Sequence, residues 1–297
     1  MLLPFLSAIQ QGDIKALATC ISLIENQAPG SLDLLKKLRI SKTPVIGITG
    51  PPGVGKSTIV NALTAELIKQ QKKIAILCID PSSPFHRGAL LGDRIRMNQW
   101  SLDPGVYIRS LASRGSLGGL HPRIFEITDL LKAAPFDYII VETVGIGQSE
   151  LEISSLADLT VVILMPGSGD EIQAMKAGMM EIADLFVVNK SDNPGTKQFV
   201  KNLQSALHFG TKKIDIIETV ATDGRGIDQL KAAIEAQMHS LPQKEPQNLA
   251  EKAYRLILAE KMKEIDKGDL FRKIQEEMKT AEFNIYQFAD RYLAERK

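Results

Sequence analysis

The 297-residue chain has two cysteines, four histidines and a single tryptophan, and aromatic residues make up only 5% of it. Cys20 and Cys78 are far apart and show no metal-ligand spacing, so neither a disulfide framework nor a Cys/His metal site organises the sequence. Both are expected to pack as small apolar side chains in a reducing, cytoplasmic compartment. Charge of one sign is also missing: 36 Lys+Arg against 35 Asp+Glu leave +1, which gives no global field for nucleic acid or an anionic membrane. The longest apolar runs, such as "IAILCI" and "LTVVILM", are far too short to span a bilayer. The opening "MLLPFLSAIQQGD" has neither a basic leader nor a small-residue cleavage site, so no signal peptide is expected.

What is present is ordinary globular usage, with 44% hydrophobic and 24% charged residues. Apolar residues at helical spacing over residues 1–42 (Leu2, Phe5, Leu6, Ile9, Ile14, Leu17, Ile21) predict an N-terminal helical extension, interrupted at "QAPGS". From residue 43 to 241 seven short apolar runs alternate with helical stretches: "PVIGIT", "KIAILCID", "VYIRSL", "DYIIVET", "LTVVILM", "DLFVVNK" and "IDIIETVA". That alternation predicts an α/β fold, a mostly parallel sheet with helices on both faces. "PQKEPQN" then reads as a linker opening a charged helical arm, 242–297. Tyr254, Leu258, Met262 and Ile265 form one stripe. "KGD" is expected to break it before a second helix carrying Ile274, Met278, Phe283, Phe288, Tyr292 and Leu293. Such stripes need another apolar surface, either the body of the domain or a second subunit.

The chemistry starts at "GPPGVGKST", where Gly50, Gly55, Lys56 and Ser57 match the G-x-x-x-x-G-K-[ST] pattern between a predicted strand and helix. Backbone amides of Gly50, Pro51, Pro52, Gly53, Val54, Gly55 and Thr58 belong to the loop that curls around phosphates. Pro51 and Pro52 contribute shape only, having no N–H. Lys56 is placed to neutralise β/γ oxygens and Ser57 to offer a hydroxyl to Mg²⁺. "NKSD" supplies Asn189, Lys190 and Asp192, and the Asp192 carboxylate can accept both the ring N–H and the 2-amino group of guanine, which adenine cannot satisfy. The nucleotide is therefore read as GTP, with GDP as product. "TVATDGRGI" is either the last base loop, with an amide near Ala221 meeting the guanine carbonyl, or an ordinary βα turn.

Asp80 and Glu142 end two strands on the phosphate-loop side, either as metal-site acids or as plain caps. Gly145 stands where an amide can sense a γ-phosphate, but Ile146, not Gln, follows it. The attacking water is then oriented by another group, Gln148 or Asp80 through water, or hydrolysis is slow until a partner assists.

These residues, with "GITGPPGVGKST", "IDPSSPF", "LGDRIRM", "VETVGIGQSE" and "NKSD", resemble the MeaB/ArgK family of P-loop GTPases, which includes the eukaryotic MMAA protein. The resemblance implies a GTPase chaperone that gates adenosylcobalamin delivery to an acyl-CoA mutase, chiefly methylmalonyl-CoA mutase, and protects it. It adds Asp93 to Ser57, Asp80 and Glu142 around Mg²⁺, makes 80–97 and 142–150 the first two switches, and makes 165–176 a third, with Gln173 and Lys176 as contacts to the mutase. The stretch 170–184 is otherwise a covering amphipathic helix. It also implies a homodimer through the C-terminal helices, and no cobalamin, nucleic acid or membrane bound by the chain itself. His121 is read as an ordinary, partly exposed residue. His86-Arg87 and Ser116 depart from the family's usual residues. The rivals are a metallochaperone GTPase for metalloenzyme maturation and a kinase of a periplasmic amino-acid-binding protein.

Overall fold

A computed structural model describes residues 3–80, 98–100, 102–113, 120–143, 145, 149–167, 178–207, 214–240, 246–262, 265–279 and 283–294. Three helices come first, α1 (Leu3–Gln10), α2 (Ile14–Glu25) and α3 (Ser31–Leu35). Asp13 starts α2 by accepting from the amides of Lys15 and Ala16 at 2.9 and 3.0 Å, which satisfies two of the first-turn donors. The sheet strands are β1 (Val45–Thr49), β2 (Ile74–Asp80), β3 (Val106–Ala112), β4 (Tyr138–Glu142), β5 (Leu159–Leu164), β6 (Leu185–Val188) and β7 (Asp215–Glu218). Between them lie α4 (Lys56–Lys69), α5 (Ile124–Lys132), α6 (Ser149–Leu156), α7 (Met179–Ile182) and α8 (Thr196–Leu207), and after them α9 (Ile227–Ser240).

The seven strands form one parallel sheet in the order β3-β2-β4-β1-β5-β6-β7. Inner strands β1, β2 and β5 are buried along their whole length, which is why they read as unbroken apolar runs. Successive residues still face opposite sides. Val45, Ala75, Leu77, Ile139 and Val141 pack with α1, α2, α5 and α6, whereas Ile46, Ile48, Ile74, Ile76 and Ile140 pack with α4 and α9. Val162, Leu164, Phe186 and Val188 gather a third cluster under α7 and α8.

The N-terminal helices are not set apart from this body. Ile9, Leu17, Cys20, Ile21 and Ile24 belong to the same core as β2, β3 and β4, and residues 1–242 form one compact unit. Arg109 on β3 ties α2 to the sheet, donating to Glu25 at 2.8 Å and to the Ser22 hydroxyl at 3.2 Å. Both cysteines are buried, and burial pushes the Cys20 thiol pKa up. His121 is also buried, only 1% exposed, and its Nδ1 accepts from the Arg123 amide at 3.0 Å; the partly exposed placement expected for it is corrected.

Residues 243–297 form a second compact unit holding α10 (Pro246–Lys261), α11 (Lys267–Glu277) and α12 (Ile285–Ala294). Its breaks differ from those expected. α10 begins at Pro246, inside the supposed linker, because a first-turn proline gives up only an N–H that no intrahelical carbonyl would take. "KGD" opens α11 instead of interrupting it, with Asp266 accepting from the amides of Gly268 and Asp269. The expected long second helix is divided: Asn284 accepts from the amides of Tyr286 and Gln287 and starts α12 afresh. Phe288 packs between Phe283 and Tyr292, with ring centroids at 6.0 and 5.8 Å. Tyr254, Ile257, Phe271 and Tyr286 are each more than half exposed. No helix among the described residues is long and apolar enough to cross a membrane.

Candidate nucleotide site

β1 is central in the sheet and runs straight into the phosphate loop, which hands over to the N-terminus of α4. The positive end of a helix is thereby placed where phosphate oxygens are expected. Gly55 caps α4 at φ +96°, a left-handed conformation. A Cβ there would collide with the Asn189 carboxamide, so glycine is required by both backbone and neighbour. Pro51 and Val54 are buried, while Pro52 and Gly53 are exposed at the loop's tip.

Lys56 and Ser57 open α4, both under a tenth exposed. Lys56 Nζ donates to the carbonyls of Gly50 and Pro51 at 2.9 and 3.0 Å, so its ammonium lies folded over the loop. Ser57 Oγ donates to Glu142 Oε1 at 2.6 Å. Glu142 gets there because β4 is the direct neighbour of β1, with Ile48 opposite it. On its other side β4 pairs with β2, where Cys78 faces Glu142 and Asp80 lies two residues further on, at the strand end. Asp80 and Glu142 are 3% and 5% exposed. Two carboxylates and a hydroxyl on adjoining strand and helix ends are the hard oxygen donors that suit Mg²⁺. Asp93 lies outside the described residues, and among those described no three His, Cys, Asp or Glu side chains gather as a metal cluster.

Gly145, at φ +77°, is pressed against the loop from the far side of β4: a Cβ on it would run into the Gly50 carbonyl and the Lys56 ammonium. Its backbone is therefore beside the lysine that a terminal phosphate would engage. Gln148, Gln173 and Lys176 lie outside the described residues, as do His86-Arg87, Ser116 and most of 170–184.

The base-reading segment follows β6. Asn189, 2% exposed, acts as a bracket: Nδ2 donates to the Val54 carbonyl at 2.8 Å, and Oδ1 accepts from Thr219 Oγ1 and the Ala221 amide, both at 3.1 Å. Lys190, at φ +55°, sends Nζ across the loop to the Gly53 carbonyl at 2.9 Å. Asp192 stands exposed in the turn that follows, open to a base edge. The Ala221 amide, expected to meet a guanine carbonyl, has Asn189 Oδ1 as its partner here; a base would have to share or take over that N–H. Thr219 was missed from sequence, although the threonine two residues before Ala221 is in the motif stretch already singled out. The Thr49 and Thr143 hydroxyls, 2.9 Å apart at the ends of β1 and β4, were missed as well.

The family model described as "Methylmalonyl Co-A mutase-associated GTPase MeaB" matches residues 17–279. A Pyrococcus horikoshii protein that carries a GTPase name is 42% identical over 276 residues, covering 90% of this chain and 86% of that one. GTPase ArgK of Escherichia coli is 38% identical, covering 76% and 72%. The mitochondrial methylmalonic aciduria type A homolog of Caenorhabditis elegans is 40% identical over 70% of this chain and 57% of its own. Among solved structures, a LAO/AO transport system kinase superposes with a TM-score of 0.64 at 27% identity, covering 99% of this chain and 96% of that one. HypB of Helicobacter pylori, with a TM-score of 0.51 at 18% identity, shares the fold. The phosphate loop, its acidic neighbours and the N-K-x-D segment are thus set in a family context that covers most of the sequence, and the chain belongs to the MeaB family of P-loop GTPases.

Proposed function

We propose that this GTPase is a chaperone of an adenosylcobalamin-dependent acyl-CoA mutase, methylmalonyl-CoA mutase or a close relative. GTP holds the switch segments through its γ-phosphate and hydrolysis releases them, timing cofactor delivery to the client. The observation that carries the reading is the mutase-associated family description extending over 17–279, beyond the nucleotide site and into the helical arm. The relative named for methylmalonic aciduria supports the same client class.

Ser57, Asp80 and Glu142 hold Mg²⁺ in this reading, joined by Asp93. Bound there, the ion would neutralise charge on the β- and γ-phosphates. Lys56 binds the same oxygens, Gly145 senses the γ-phosphate, and Gln148 or Asp80 orients water. Asn189, Lys190 and Asp192 select guanine, and Gln173 and Lys176 pass the nucleotide state to the mutase. The exposed aromatic and aliphatic residues of α10, α11 and α12 support a homodimer built through residues 243–297. The protein works in the cytoplasm, and the cobalamin is carried by the client. Cys20 and Cys78 are committed to the core, which disfavours a metallochaperone role for them.

The test uses γ-labelled GTP with and without a purified candidate mutase. The expected outcome is label released as free phosphate and the mutase retained on the immobilised chain in a nucleotide-dependent way. Label transferred to a transport protein would support the kinase alternative and overturn the proposal.

A further inference from the structure

Asn61 lies on α4 one turn beyond Ser57 and on the same side of the helix. Its carboxamide oxygen accepts twice, from Gln99 Nε2 at 2.7 Å and from Trp100 Nε1 at 2.6 Å. That occupies both lone pairs of the oxygen. Trp100 is the chain's only tryptophan; half-buried, it packs against the core cluster shared by α4, β1 and β2. An indole N–H only donates, so its inward edge needs an acceptor, and Asn61 is that acceptor.

The position of this junction gives it a consequence. β2 delivers the chain to Asp80, beside the phosphate loop, and the chain is next fixed by Gln99 and Trp100 on α4, the helix that carries Lys56 and Ser57. Both ends of 81–97 are thus tied to elements of the nucleotide site, one through the sheet and the other through Asn61. We propose that Asn61 is a positioning residue for GTP: by holding Gln99 and Trp100 on α4 it fixes the return of the first switch segment, and so favours the triphosphate over the diphosphate. The proposal rests on reading 80–97 as the segment that answers to the γ-phosphate. A tied end leaves fewer chain conformations to be lost when that segment orders. Gln99 and Trp100 touch no phosphate themselves, so the effect should be confined to the nucleotide that engages the segment.

The experiment measures affinities of the full chain for a non-hydrolysable GTP analogue and for GDP, both with Mg²⁺, alongside indole emission. Asn61→Leu removes the acceptor at similar volume; Asn61→Asp keeps two acceptor sites for the same donors. For Asn61→Leu, affinity for the GTP analogue is expected to fall about fivefold to tenfold, the ratio that corresponds to one lost hydrogen bond. GDP affinity should stay within about twofold on the same scale, and indole emission should shift to the red as the ring becomes wetter. Asn61→Asp should recover all three. If Asn61→Leu fails to fold, Trp100→Phe tests the same junction by deleting only the N–H, and should weaken the GTP analogue selectively by about threefold. Equal weakening of both nucleotides, or of neither, in whichever variant folds would overturn the proposal. Loss of all guanine-nucleotide binding by the unmodified chain would instead overturn the GTP site itself.

Discussion

Asn189 Nδ2 donates to the Val54 carbonyl at 2.8 Å, joining the segment that reads the base to the loop that holds the phosphates. Because its Oδ1 also accepts from Thr219 and Ala221, three chain segments meet at one buried carboxamide. Asn189→Ala would leave the Val54 carbonyl and the Ala221 amide without that partner. It is expected to destabilise the protein by about 1–3 kcal/mol, the cost of stranding buried polar groups. Urea unfolding should show a lower midpoint at unchanged slope, together with weaker GTP binding. Wild-type stability in this variant would contradict the bracket.

Gly145 gives a second prediction. Alanine there meets a left-handed backbone, costing about 1–2 kcal/mol, and a Cβ that collides with the Gly50 carbonyl and the Lys56 ammonium. Displacing either should lower the single-turnover rate of GTP hydrolysis by at least about tenfold, which takes only about 1.4 kcal/mol of lost transition-state stabilisation. An unchanged rate would remove Gly145 from the phosphate site.

Much of this site was legible from residue types and order. A fully buried parallel strand has to be apolar on both faces, so the seven runs declared themselves, and the acids at Asp80 and Glu142 could be placed at the carboxyl ends of two of them. That Glu142 reaches Ser57 was not legible, because it depends on β4 and β1 being neighbours despite two intervening strands in the chain. The second partner of the Ala221 amide was hidden for the same reason: it comes from residue 189. In the helical arm periodicity misled. Asp266 and Asn284 each offer a side-chain oxygen to the next turn's amides, a local competition that outweighs a continuing apolar stripe. His121 looked exposed since nothing in "GLHPR" signals burial; its place is set by packing around α5.

Asp192 is exposed beside the loop, so its carboxylate is available to a base edge. Asp192→Asn should reduce GTP affinity and raise affinity for xanthosine triphosphate, whose 2-oxo group prefers an amide donor. The preference between the two nucleotides should change by about a hundredfold or more, the scale of discrimination by a paired polar site. Competition binding measures it; equal affinity of the unmodified protein for ATP and GTP would refute guanine reading at this position.

The division at residue 242 predicts that a chain ending at Pro242 keeps its nucleotide site, since Gly50, Glu142, Asn189 and Ala221 all lie within the first unit. It should bind GTP within about threefold of the full chain, under 1 kcal/mol on the affinity scale. Light scattering should find the full chain dimeric and the shortened one monomeric. A dimer that survives the truncation would place the interface elsewhere.

The central claim is that a mutase sets the pace of hydrolysis, and phosphate release from GTP with and without the cognate mutase tests it most directly. Ile146 follows Gly145 where a water-orienting glutamine would serve, so the unaided rate should be low. The mutase should raise it at least about tenfold, and Gln173→Ala or Lys176→Ala should abolish most of that gain while leaving the unaided rate nearly intact. A rate that the mutase leaves unchanged, or substitutions that lower aided and unaided rates by the same factor, would contradict the account.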